Sequence, residues 1–190
     1  KIFVEVGTWD GQGSTKCIVE GLRRRVDASG AVLISIEANY TKWALAKSYW
    51  NAHAPAPLRL LYGRLAESMM SREEIEGHPE FHRVKAHFDA HYERDVEDFA
   101  AAPLIRLRKA DCVLLDGGEF SSYGDWEAVK KLEPRIVVLD DIFSIKNNRL
   151  LSEISKDSNW ICMWAGAERG GSCVMARKPP AEAGPDPLRC

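Results

Sequence analysis

Apolar positions along the chain repeat with two periods, and the switches between them outline its elements. Ile2, Val4 and Val6 alternate around Phe3 and Glu5, which predicts a buried strand. Three glycines, Gly7, Gly11 and Gly13, then interrupt the pattern before a helical run at Cys17, Ile18, Val19, Leu22 and Val26. Arg23, Arg24 and Arg25 suit that helix's C-terminus and Gly30 its stop, so the arginines read as capping and solvation rather than a phosphate site. Residues 31–37 form a second apolar run closed by Glu37. Asn39 can cap a helix to about Trp50, with Trp43, Leu45, Ala46, Tyr49 and Trp50 on its apolar face and Pro55 and Pro57 ending it. Leu58 to Tyr62 is a short third strand with Gly63 at its exit.

The segment from Glu67 to Ala102 is charged and helical in period. Ser71 to Glu74 spells a capping box, and Pro79 suits the first position of a longer helix. Phe81, Val84, Phe88, Tyr92, Val96 and Phe99 form one stripe of that helix, expected to pack on the sheet. Residues 110–116 and 135–141 are fourth and fifth strands, again closed by acids: Asp116, then Asp140 and Asp141. Between them Ser122 is placed to cap a helix carrying Trp126, Val129 and Leu132. Leu150, Leu151 and Ile154 mark a last helix, and residues 160–164 and 172–176 read as an antiparallel hairpin. The pattern predicts an α/β fold, Rossmann-like and doubly wound. Its seven-stranded sheet is mostly parallel, with a C-terminal antiparallel hairpin. One domain is expected over residues 1–178, followed by a proline-rich flexible tail or linker over 179–190.

Composition narrows the function classes only a little. A formal net charge of −2 offers no overall field for nucleic acid or an anionic membrane. Five scattered cysteines without a C-x-x-C suggest neither a disulfide framework nor a zinc knuckle, and a reducing, cytoplasmic setting fits them best. No apolar run reaches membrane-span length and no signal-peptide pattern opens the chain, although a strand beginning at once after Lys1 leaves room for sequence upstream. His78 with His82 and His87 with His91 have the i, i+4 spacing of helical zinc ligands, but no ordered third ligand accompanies them, and a solvated helix edge is expected.

The chemistry concentrates at strand ends. A glycine-rich turn between strand and helix lets a ligand approach the backbone, and the helix amides beyond it present partial positive charge. Glu5 near the end of an apolar strand needs a polar partner, and Glu37 lies about where a carboxylate meets ribose hydroxyls. Trp9 either walls the cleft or packs the loop. Three strands end in carboxylates, at the edge where open α/β sheets bind ligands. A short-chain nicotinamide oxidoreductase shares the glycine spacing but needs Tyr-x-x-x-Lys, and no tyrosine here has a lysine four residues on.

Glu5-Val6-Gly7-x3-Gly11-x-Gly13-Ser14, with Glu37, Asp116 and Asp140-Asp141, resembles the class I S-adenosylmethionine-dependent methyltransferases over about Ile2 to Lys178. Leu115 to Phe120, Tyr123 and Val138 to Asp141 are similar, more narrowly, to small bacterial methyltransferases associated with glycan or secondary-metabolite modification. The resemblance implies S-adenosylmethionine as cofactor. Glu5 and the turn through Gly7, Thr8, Gly11, Gly13 and Ser14 would hold its methionine part, and Glu37 its ribose. Ala38, Asn39, Gly63 and Arg64 would lie on the adenine side, and Asp116 and Gly117 beside the donor methyl.

In metal-dependent small-molecule O-methyltransferases of this fold, acids equivalent to Asp116, Asp140 and Asp141 bind a divalent cation, so the resemblance implies a candidate Mg²⁺ site at these three residues. Relatives with D-G-D-H differ where Gly118 and Glu119 stand here, leaving Glu119 as replacement general base or as a helix cap. The expected activity is methyl transfer to a hydroxyl, less favourably an amine, of a small molecule or glycan. The alternative is a catalytically degenerate cofactor-binding or interaction module of a larger protein, and a homo-oligomer stays open.

Overall fold

A computed structural model describes residues 1–25, 30–53 and 57–179. Val26, Pro55, Cys190 and all but the first residue of the expected tail lie outside them. Strands β1 (Ile2–Val6), β2 (Val32–Glu37), β3 (Leu58–Tyr62), β4 (Cys112–Leu115), β5 (Ile136–Asp140), β6 (Trp160–Gly166) and β7 (Ser172–Arg177) form one sheet in the order β3-β2-β1-β4-β5-β7-β6. The first five are parallel, while β7 runs antiparallel between β5 and β6.

Helices α1 (Ser14–Arg24), α2 (Tyr40–Asn51), α3 (Arg72–Glu76), α4 (Phe81–Ala101), α5 (Ser122–Val129) and α6 (Asn148–Lys156) complete the fold. Alternation along the strands sorts the core onto two faces. Phe3, Leu33, Leu58 and Leu60 pack with Val19 and Leu22 of α1 and Trp50 of α2. Val4, Val6, Val113, Val137 and Leu139 pack with Trp126 and Val129 of α5 and Leu150 and Ile154 of α6. Leu45, expected on the apolar face of α2, is instead exposed.

Local capping chemistry sets several boundaries. The Asn39 side chain accepts from the Lys42 amide, and Ser71 with Glu74 closes a full capping box. Ser121, one residue before the expected Ser122, is the N-cap position of α5 and makes no side-chain capping bond, while the Ser122 hydroxyl donates to Gly118 O. Pro79 lies in the turn before α4, which starts at Phe81.

The stripe of α4 does not pack on the sheet. Val84 and Phe88 join Ile75 of α3, Phe120 and Ile145 in a separate cluster, with Met69, Met70, Phe81 and Tyr92 at its margin. Phe120 and Ile145 belong to the segments leaving β4 and β5, so α4 lies across the ends of those strands. No helix among the described residues is long and apolar enough to cross a membrane.

Candidate active site

Strands β1 and β4 are neighbours whose chains leave in opposite directions, β1 toward β2 and β4 toward β5. A crevice opens at the C-terminal tips of such a pair. Here it is a cavity of about 1040 Å³, bordered by the glycine turn, the tips of β2, β4 and β5, α4 and the β6–β7 loop.

The β1–α1 turn forms one wall. Gly7 has φ +98°, and a Cβ there would come within 2.1 Å of Asp116 O, so only glycine lets the two strand tips touch. Thr8 Oγ1 lies 2.6 Å from Ser35 Oγ, and Gly13, as N-cap, leaves the opening of α1 without a side-chain cap. Gly7, Thr8, Gly13 and Ser14 all border the cavity. Gly11 does not: its φ is +75°, and its carbonyl accepts from Trp50 Nε1, tying the turn to α2.

Glu5 is completely buried beneath this turn rather than in its wall. Thr15 Oγ1 and Ser35 Oγ donate to its Oε2 at 2.6 and 2.5 Å. Burial raises its pKa, and the surrounding hydroxyls work against that rise. Its place is thus structural, joining α1 and β2 to β1.

At the tip of β2, Glu37 accepts from the amides of Trp9 at 2.8 Å and Asn39 at 2.9 Å. Its carboxylate faces the cavity beside Ala38 and Asn39. Burial raises the Glu37 pKa, opposed by those amides and by Lys42. Trp9 walls the mouth, its ring stacked under Lys42 Nζ at 3.5 Å. Gly63 and Arg64 lie off the cavity: Arg64 Nε donates to Ala102 O, and its guanidinium covers Phe99 at 4.4 Å. Phe99, Asp95 and Asp98 of α4 take the side of the cavity expected for them. Asn39 Nδ2 donates to Asp98 Oδ2 at 2.6 Å, fastening α4 to the start of α2.

The other end gathers Asp116, Gly117, Glu119, Asp140 and Asp141. Asp116, Asp140 and Asp141 form the only group with metal-ligand spacing among the described residues. A lysine already joins two of them. Lys146 Nζ lies 2.7 Å from Asp116 Oδ1 and 3.0 Å from Asp141 Oδ2, with only 6% of its side chain exposed. Burial pushes the Lys146 pKa down, but the two carboxylates outweigh it and hold the ammonium charged. Asp140 Oδ1 accepts from Ser172 Oγ at 2.6 Å. The expected Mg²⁺ therefore does not fit this donor set, because an ammonium stands between two of its three carboxylates.

Asn147 Nδ2 donates to both Leu115 O and Asp140 O and so sets the gap between the tips of β4 and β5. Gly170 allows the β6–β7 loop to reach Asp141, since a Cβ there would lie 2.0 Å from Asp141 Oδ1. Glu119 lines the same end, its Oε1 buried and without a hydrogen-bond partner among the described residues. Burial raises the Glu119 pKa, with Ser144, Lys146 and His87 opposing and Asp141 reinforcing. His87 and Trp164 complete this end. His87 Nε2 contacts Asp95 Oδ2 at 3.2 Å; His82 and His87 are exposed, His78 and His91 are half-buried, and among the described residues no histidine joins a group with metal-ligand spacing.

Sequence reasoning missed Lys42, Lys146, Asn147, Trp164 and the α4 acids. Of these, the α4 acids lie on an element whose apolar stripe is visible in the sequence, and that spacing suits a sheet face equally well. No protein-family model matches the chain, and no curated protein matches it in sequence. Solved structures do match. An SAH-bound methyltransferase of Podospora anserina, PaMTH1, superposes with TM-score 0.58 and 11% identity over 94% of this chain and 72% of that one. A methyltransferase from Geobacter sulfurreducens gives 0.56 and 9% over 94% and 71%. A putative rRNA-methylase from Clostridium thermocellum gives 0.50 and 7% over 93% and 88%. With this sheet order and the crevice between β1 and β4, the chain has the fold of the class I S-adenosylmethionine-dependent methyltransferases.

Proposed function

We propose that the protein transfers a methyl group from S-adenosylmethionine to a hydroxyl of a small molecule or glycan. The observation that carries this reading is a single cavity with a ribose-type carboxylate, Glu37, at one end and a cluster of half-buried acids at the other. The cofactor supplies an already activated methyl group on its sulfonium, so alignment and exclusion of water provide most of the rate.

In this reading Glu37 receives the ribose hydroxyls, oriented by the Trp9 and Asn39 amides. The uncapped start of α1 and the turn at Gly7, Thr8 and Gly13 take the methionine carboxylate. Asp98 and Phe99 face the adenine side from α4, while Asp116 and Gly117 border the methyl. The acceptor oxygen attacks the methyl carbon as the carbon–sulfur bond breaks, and Glu119 takes the acceptor's proton. Trp164 offers an apolar face beside Glu168 and Arg169, a lining suited to a hydroxylated ring such as a sugar.

Calorimetry with S-adenosylhomocysteine (SAH) tests the assignment. Wild type should bind at micromolar concentration. Glu37→Ala should weaken binding roughly 10- to 100-fold, since hydrogen bonds to a charged group are worth about 1.5–3 kcal/mol. A folded wild type that does not bind SAH would sink the methyltransferase reading.

A further inference from the structure

We infer that the Lys146 ammonium is the resident cation of the acceptor end, occupying the place a divalent metal takes between paired strand-tip aspartates, so that methyl transfer here needs no metal. This deepens the proposed function and rests on it for the acceptor's role. The exclusion of metal rests on the lysine alone.

The ammonium is delivered from the turn after β5. Its backbone amide donates to Ser144 Oγ at 3.2 Å, and the next residue, Asn147, is pinned by its side chain to Leu115 O and Asp140 O. That fixes the root of the side chain between the tips of β4 and β5. Two of the three ammonium protons go to Asp116 Oδ1 and Asp141 Oδ2. The third remains for an acceptor oxygen, and Glu119 stands near enough to interact electrostatically with the same charge. A divalent ion placed among these acids would meet the buried ammonium at close range, and like charges at that separation repel.

Without the ion, the lysine would supply its two services in weaker form. It orders Asp116 and Asp141, and it favours developing negative charge on the acceptor oxygen. Beyond Gly118 and Glu119, the expected metal-dependent pattern and this chain therefore differ at Lys146, which the strand-end acids did not advertise.

The test is a Mn²⁺ titration followed by electron paramagnetic resonance. Wild type should leave the free-ion spectrum unchanged at millimolar Mn²⁺, and neither Mn²⁺ nor EDTA should move its melting temperature. Lys146→Met, checked for folding by circular dichroism, should open the three-aspartate site and bind Mn²⁺ about tenfold or more tightly than wild type. Adding Asp141→Asn should abolish that gain. Micromolar binding by wild type would overturn the inference, as would a folded Lys146→Met that binds no better. Should Lys146→Met fail to fold, the wild-type titration decides alone: binding overturns the inference and silence supports it. SAH calorimetry on the same wild-type sample reads the methyl-transfer assignment separately. Loss of SAH binding with an unchanged Mn²⁺ pattern would remove that assignment and leave the lysine in place.

Discussion

A Cβ on Gly7 would sit 2.1 Å from Asp116 O, and the residue's φ of +98° already disfavours any other amino acid. Gly7→Ala should therefore cost about 2–4 kcal/mol, combining a strained backbone with a forced separation of β1 from β4. Urea unfolding would measure it, and SAH affinity should fall with stability because the same contact shapes the cavity wall. Glu119 makes a different prediction. A base must be ionised to accept a proton, and burial lifts its pKa above the ordinary 4.5. Methyl transfer should accordingly decline as pH falls through that raised value, and Glu119→Gln should lower the rate by about 10²-fold or more above that value, with the difference shrinking below it. Ser144, Lys146, Asp141 and His87 face the carboxylate and shape the profile. The glycines and strand-end acids were legible because residue type and position in the local pattern were enough to mark them. Glu5, Gly11 and Gly63 share those positions and Arg64 adjoins one of them, yet none of the four borders the cavity. Depth beneath a turn is set by neighbours distant in sequence, and no local pattern reports it.

At the scale of elements, α4 behaves as a roof. Its 21 residues reach about 31 Å at 1.5 Å per residue. Asp98 holds one end to Asn39, and Arg83 holds the other by donating to Phe143 O at 2.8 Å. Between them Phe88 packs edge-on against Phe120, with ring centroids 5.9 Å apart. Phe88→Ala should cost about 3–5 kcal/mol. Hydrogen exchange should quicken in residues 81–101 more than in the sheet, because the α4 cluster is separate from the main core. Periodicity announced the helix but not what its stripe covers, since a sheet face and a cluster over strand tips demand the same apolar spacing.

Helix α5 carries a buried acid with a stability signature. Asp125 is held at about 6 by burial, against the opposing amides of Ala66 and Leu65, the Ser121 hydroxyl and Arg64. The folded protein thus binds this proton more tightly than the unfolded chain, whose value is 3.8. Its contribution is complete below about pH 4 and is lost as pH rises to about 6, a change of about 3 kcal/mol. The stability of wild type relative to Asp125→Asn should therefore fall across that window and level off above it, which denaturant unfolding at several pH values would show.

Across the whole molecule, sheet order and site are one feature. The run of five apolar segments, each with a helical stretch after it, was readable because parallel strands buried on both faces keep a continuous local signature. The hairpin was readable too, but its insertion was not. Nothing in residues 160–176 says that the later strand enters the sheet first. That insertion imposes an order on biosynthesis. Val137, Val138 and Leu139 find their second neighbours only in Met175, Val174 and Cys173. A ribosome making this chain must release residues through 177 before the edge of β5 is covered. Until then a half-built sheet presents an apolar ribbon to chaperones and to other nascent chains, so a stop codon after Lys156 should yield aggregate rather than a smaller folded protein.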